Sequence, residues 1–173
     1  PQNGTTYTAL VPNMRGLTRA LETDLNEVAV FMSASETHNA RNINKTRDET
    51  YRAFEPVFEA CDARNISVRA YVSTVWGCPY EGAVAPDVAA DVAARLLAMG
   101  AYEVSLGDTI GVGHPQQTCR ILDAIGGKLD LQQVAMHMHD TRGMALANCV
   151  IGLEYGVTRY DTSVAGLGGC PYA

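Results

Sequence analysis

The chain has 173 residues, 47% of them hydrophobic, and a formal net charge of −6. Such a chain can bury a core, and its acidic balance argues against nucleic acid as the main partner. No run of about 18 apolar residues occurs, so no membrane span is expected. No signal peptide is read, although a chain that starts at Pro1 leaves room for an upstream segment.

The chain reads as a repeated strand–loop–helix unit. A first strand, 5–13, ends in Pro-Asn and leads to a helix over roughly 15–24. A second strand, 27–35, is followed by a loop and then a helix starting near Thr46, where Thr-Arg-Asp-Glu has the form of a capping box. The third strand, 66–76, precedes a helix over 86–99 with Pro86 in its first turn and Gly100 just past its end. A fourth strand, 102–109, a helix opening at Pro115, a fifth strand ending in His139, a helix over about 143–155 and a sixth strand, 158–166, complete the series. Cys61, Cys78, Cys119, Cys149 and Cys170 are odd in number and widely spaced, which fits a reducing compartment better than a disulfide framework.

Alternating strands and helices imply a parallel sheet with crossover helices. No strand is followed by G-x-G-x-x-G, which weakens a dinucleotide-binding open sheet. Polar residues gather at the C-terminal ends of nearly all strands: Asn13, Ser33 to Glu36, Ser73, Asp108, His137, His139, and Asp161 to Ser163. A barrel brings all of these to one mouth, so the expected fold is an α/β (β/α)₈ TIM barrel of which about six βα units are present. Residues 1–173 would form a single partial TIM-barrel domain. Its end strands would have unpaired edges and its apolar inner face would lack cover.

Three stretches offer chemistry. In "AMHMHDTRG", alternation puts His137 and His139 on one side of a strand and Met136 and Met138 on the other. Two adjacent imidazoles can hold one metal ion or bracket a substrate; the alternative is a half-exposed pair satisfied by water. "SLGDTIGVGHP" sets Asp108 at a strand end among glycines, either to meet a ligand or to cap the next turn through its backbone. "AGLGGCPYA" delivers Cys170 on a glycine-rich loop, against the plainer reading of a tight turn with an incidental thiol. The basic residues Arg41, Lys45 and Arg47 precede a helix N-terminus and would suit a phosphate or carboxylate, or form a solvated loop.

Taken together, "SLGDTIGVG", "HMHDTRGMALAN", "VAGLGGCPYA", "RNIN" and "VRAYVSTVWGCPYEG" resemble the 3-hydroxy-3-methylglutaryl-CoA lyase family, within the metal-dependent TIM-barrel lyases and aldolases. The cysteine loop separates these lyases from the condensing synthases that otherwise resemble them. The resemblance implies cleavage of an acyl-CoA substrate to acetyl-CoA and acetoacetate, with a divalent cation, Mg²⁺ or Mn²⁺. It implies His137 and His139 as metal ligands, Cys170 as catalytic thiol on a mobile loop, and Asp108 at the reacting centre. Asn42 and Thr46 would lie on the acyl-CoA side and Tyr71 near the acyl group. Either His137 or Asp108 would take the hydroxyl proton.

The family's Arg-Asp pair, a glutamate and an asparagine ligand are not found here, so residues 1–173 alone are expected to be inactive. The resemblance further implies a homodimer at full length, in the cytoplasm of a bacterium or the mitochondrial matrix of a eukaryote. The alternatives are a related pyruvate-type aldolase or acyl-CoA condensing enzyme, or a non-catalytic fragment.

Overall fold

The computed structural model describes residues 4–167 and 170–173. Its elements are β1 (Thr8–Leu10), α1 (Met14–Ala20), β2 (Glu27–Ser33), α2 (Glu36–Ile43), α3 (Arg47–Asp62), β3 (Ser67–Ser73), α4 (Pro86–Ala98), β4 (Glu103–Asp108), α5 (Pro115–Gly126), β5 (Val134–Met138), α6 (Ala145–Glu154) and β6 (Arg159–Asp161). Among the described residues the strands form one six-stranded sheet in the order β1-β2-β3-β4-β5-β6. Each strand pairs in parallel with the next. A doubly wound sheet would reverse its order at a switch point; this one never does, as expected for the staves of a barrel.

Period-two alternation sorts the strand residues. Val68, Ala70 and Val72 of β3, Val104 and Leu106 of β4, and Val134 and Met136 of β5 are buried under the helices. Leu96 of α4 and Ile121, Leu122 and Ile125 of α5 fill the layer from the other side. Burial of each such side chain contributes about 1.5–3 kcal/mol, so this layer is the main source of stability.

The opposite face corrects one expectation: it is largely polar from β3 to β6, although Ala29, Phe31 and Ala135 also point to it. Arg69 and Tyr71, Glu103 and Ser105, His137, and Arg159 with Asp161 share it, linked by ion pairs and hydrogen bonds. Charges can be buried there because each has a partner of opposite sign.

The helices largely follow their signals. Asn13 caps α1 by accepting the Gly16 N–H, and the capping box is present: Thr46 Oγ1 accepts the Glu49 N–H at 3.1 Å while Glu49 Oε2 accepts the Thr46 N–H at 2.8 Å. The stretch after β2 departs from expectation, because α2 stands where a loop was expected. Its sequence, ETHNARNI, has no apolar stripe to announce a helix. Polar contacts hold it instead. Ser35 Oγ accepts the His38 N–H, and buried Asn39 accepts the Ser33 N–H and donates to the Lys45 carbonyl and Thr50 Oγ1.

The two end strands shrink to three residues each, since each pairs on one side only. Part of the expected sixth strand is a 3₁₀ turn, Val164–Gly166, and the start of the fifth is another, Leu131–Gln133.

Candidate active site

The C-terminal strand ends form a cavity of about 560 Å³ lined by His137, Met138, His139, Asp140, Thr141, Asp161 and Cys170, among others. Near the C-terminal end of β5, His137 pairs in register with Gly107 on one side and Asp161 on the other. Its Nδ1 lies 3.2 Å from Asp161 Oδ2, and His139 Nδ1 lies 2.9 Å from the Thr109 carbonyl oxygen. A carboxylate and a carbonyl can only accept, so each Nδ1 carries the proton. Both Nε2 lone pairs are then left facing one another, 3.3 Å apart. Two lone pairs at that distance repel unless a positive charge lies between them. Nitrogens about 2.1 Å from one cation at near-right angles would be about 3 Å apart. The donor pair therefore fits a divalent metal, although no third His, Cys, Asp or Glu joins it among the described residues.

Behind His137 runs a chain of charges. Asp161 Oδ2 also accepts from Ser105 Oγ at 2.7 Å, and Asp161 Oδ1 meets Arg69 at 2.9 Å. Arg69 reaches Glu103 at 2.6 Å, and Glu103 reaches Arg159 at 2.9 Å. Burial works to raise the Asp161 pKa. The hydrogen bonds from His137 and Ser105 and the Arg69 charge outweigh it and hold the carboxyl below its usual range. The sequence reading assigned no role to Arg69, Glu103 or Arg159. A charged residue set within a strand, as in "SVRAYVS", "EVSLGD" and "TRYD", is the signal that marks them.

Tyr71 stands edge-on to the His137 ring, centroids 6.3 Å apart, and hydrogen-bonds with Arg69. Burial pushes its phenol pKa up, so it stays neutral; it is not among the residues that line the cavity. Cys170 Sγ lies 3.8 Å from the same Thr109 carbonyl that His139 uses, which sets the thiol beside the imidazole pair. Of its glycine loop, Gly168 and Gly169 lie outside the described residues.

Asp108 has a different setting. It is on the helix-facing side of β4 with Val104 and Leu106, almost fully buried, and does not line the cavity. Its two oxygens accept the Val112 N–H at 3.1 Å and the Gly113 N–H at 2.8 Å, which pins the 109–113 loop. Burial raises its pKa, and those N–H bonds offset only part of the rise. A network from the other side holds the same loop: Trp76 Nε1 donates to Thr118 Oγ1, Thr118 to Asn148 Oδ1, and Asn148 Nδ2 to the Gly113 carbonyl.

Asn42 and Thr46 are not part of this cavity. Asn42 is exposed on α2, and the Thr46 hydroxyl serves the α3 cap. Thr46 lines a second cavity, of about 540 Å³, between α3 and α4 with Arg47, Asp48, Tyr51 and Arg95. No helix among the described residues is long and apolar enough to cross a membrane.

The family model described as HMGL-like matches residues 1–170. The chain is 49% identical over 172 residues to the hydroxymethylglutaryl-CoA lyase of Bacillus subtilis, covering 99% of this chain and 58% of that protein. It is 50% identical over 174 residues to that of Pseudomonas mevalonii, covering 100% and 58%. A crystal structure of the Pseudomonas aeruginosa lyase matches with a TM-score of 0.97 at 49% identity, covering 99% of this chain and 57% of that one. The carboxyl transferase domain of Rhizobium etli pyruvate carboxylase, at 16% identity and a TM-score of 0.63, shares the fold alone. The chain thus spans 58% of the length of these curated relatives, and within that span sequence and fold agree. It belongs to the HMGL-like family.

Proposed function

We propose that this chain forms the larger part of a 3-hydroxy-3-methylglutaryl-CoA lyase, a carbon–carbon lyase that releases acetyl-CoA and acetoacetate. The observation that carries the reading is the convergence of Cys170 and the His137–His139 pair on one cavity, in a chain about half identical to lyases of that name.

His137 and His139 would hold the ion, Mg²⁺ or Mn²⁺, through Nε2, with oxygen ligands from the flanking segments that the relatives possess. The chemistry such an ion supplies is electrostatic: it lowers the pKa of the tertiary alcohol and offsets the charge of the alkoxide. The rest falls to the protein. An imidazole that gives Nε2 to the ion and Nδ1–H to Asp161 has no nitrogen left for a proton. We therefore assign the hydroxyl proton to Asp108, the remaining candidate, on condition that substrate binding turns the 109–113 loop aside. In this structure its carboxyl faces the helices outside the cavity, with both oxygens on that loop's N–H groups. The O–H electrons form the new carbonyl of acetoacetate. The C–C bond breaks, and its electron pair passes to the acetyl-CoA enolate. Cys170 gives its proton to the enolate carbon and is left as thiolate. Tyr71, edge-on to His137, would bound the acyl group, and Asn42 and Thr46 would face the CoA portion outside the cavity.

By analogy with bacterial and mitochondrial relatives, the enzyme would act in the bacterial cytoplasm or the mitochondrial matrix, as a homodimer at full length. The test is a full-length lyase that carries residues 1–173 with the flanking segments of its relatives. Given the CoA thioester and Mg²⁺, it should form acetyl-CoA and acetoacetate in equal amounts, and Cys170→Ser should abolish this. Formation of neither product would overturn the reading. For Asp108→Asn, the acidic limb of the kcat/KM profile should disappear; a retained limb would remove Asp108 as the base.

A further inference from the structure

The sequence carries Gly-Cys-Pro-Tyr twice, at 77–80 and 169–172, and the proposed reaction uses only the second. The first has a different chemistry. Cys78 is buried, and its sulfur donates to Ser35 Oγ at 3.0 Å while accepting the N–H groups of Tyr80 and Glu81 at 3.3 and 3.4 Å. A two-way backbone bridge between Cys78 and Gly82 closes the turn. Cys78 is thus the hub of a tight turn whose tip presents Tyr80.

Tyr80 meets the second copy. Its ring lies edge-on to Tyr172, with centroids 6.1 Å apart, and its hydroxyl donates to the Tyr172 hydroxyl at 3.1 Å. His38 supplies the second wall, edge-on to Tyr172 at 5.1 Å and tilted against Tyr80 at 6.1 Å. The wall is firm: His38 is 2% exposed, its Nδ1 bonded to Ser33 Oγ. The Arg41 guanidinium lies over the Tyr80 ring, 4.3 Å from its centroid. Tyr172 is two residues from Cys170, and the Ala173 N–H donates to the Cys170 carbonyl, closing that turn in its turn. A clamp on Tyr172 therefore limits where the Cys170 sulfur can go.

We infer that Tyr80 and His38 form an aromatic dock for Tyr172, and that Tyr80 and Tyr172 are positioning residues for the Cys170 thiol. The inference rests on the reading of Cys170 as proton donor. Aromatic pairs prefer the edge-on geometry seen here and gain beyond their buried area. Proton donation to carbon is intolerant of displacement, and a shift of about 1 Å costs on the order of a hundredfold in rate.

The test is a double-mutant cycle on Tyr80→Ala and Tyr172→Ala in the full-length lyase, read in two ways. The first is steady-state kinetics: each single variant should lower kcat by roughly ten- to a hundredfold, with KM and Mn²⁺ affinity within about twofold of the parent. The double variant should be no worse than the poorer single one, because either change already empties the dock. Tyr80→Phe keeps the rings and loses one hydrogen bond, so it should recover activity to within about fivefold of the parent.

The second readout is alkylation of Cys170 by iodoacetamide, which needs no turnover and so tests the dock even if the proposed reaction is wrong. Both alanine variants should alkylate faster than the parent, and to the same extent as the double variant. Losses that add in the double variant, or alkylation at the parent rate in Tyr80→Ala, would overturn the inference.

Discussion

Asp161→Asn isolates the support of the histidine pair. The substitution keeps the shape and removes the charge. Asp161 now serves three donors, His137 Nδ1–H at 3.2 Å, Ser105 at 2.7 Å and Arg69 at 2.9 Å. An amide offers a single oxygen acceptor, so its NH₂ must face either Arg69 or the His137–Ser105 side. If it faces His137, the ring loses the contact that fixes its tautomer, and Nε2 no longer points reliably at its partner. Groups that orient a metal-binding imidazole are worth about 10–100-fold in metal affinity, or roughly 1.4–2.7 kcal/mol.

Folding should also suffer. Arg69 is left with Glu103, which it shares with Arg159. The Arg69 and Asp161 side chains are 12% and 20% exposed, so the pair is partly screened. The loss should be about 1–3 kcal/mol, below the 3–5 kcal/mol for a fully buried pair. Calorimetric titration of the full-length lyase with Mn²⁺, beside a thermal melt, measures both. A Mn²⁺ affinity within twofold of the parent would refute the reasoning, whatever the melt shows.

The two Gly-Cys-Pro-Tyr thiols should part company: Cys170→Ser abolishes cleavage with the fold intact, whereas Cys78→Ser, deep in its turn, lowers stability by about 1 kcal/mol and retains most activity, as product assays and melts would report. Gly113→Ala places a Cβ 2.6 Å from Trp76 Cδ1 and 2.8 Å from Asp108 Oδ2, so it should cost about 1–3 kcal/mol in denaturant unfolding and loosen the loop behind His139. Burial holds the His38 pKa below its ordinary value against the smaller, opposite pull of Glu81, so NMR should find it titrating below about 6.5. The unfolded chain takes that proton up first. Stability contributed by neutral His38 is therefore lost as pH falls from about 6.5 toward the folded pKa, and His38→Gln should flatten that part of the melting profile. Residues 1–173 expressed alone should self-associate or fold loosely, since β1 and β6 are open edges and Leu146, Val150 and Leu153 of α6 are exposed; a monomer with one sharp melt would contradict this.

What could be read from the sequence had local causes. The capping box at Thr46, Pro-Asn at the end of the first strand, Pro86 and Pro115 at helix starts, and β-branched runs mark elements that depend on neighbouring residues. Helix α2 escaped notice because its anchors are polar and lie outside the helix: Asn39 makes sense only once Ser33 and Thr50 are beside it. The His137–His139 pair was legible because alternation alone puts both rings on one side. Their shared aim through Nε2 was not, since it depends on Asp161 and on Thr109, 24 and 30 residues away in sequence. The polar inner face was hidden for the same reason: an arginine in a strand reads as a misfit until its carboxylates arrive from two other strands. The dock on Tyr172 pairs residues 92 apart, a distance no motif spacing encodes.

The most direct measurement is the metal dependence of carbon–carbon cleavage. The full-length lyase, stripped of divalent metal by chelation and supplied with 3-hydroxy-3-methylglutaryl-CoA, should form no acetoacetate, and Mn²⁺ or Mg²⁺ should restore acetoacetate and acetyl-CoA one for one, except in His137→Ala. Undiminished cleavage by the stripped enzyme, or none after metal is restored, would contradict the account of how His137, His139 and Cys170 work as one site.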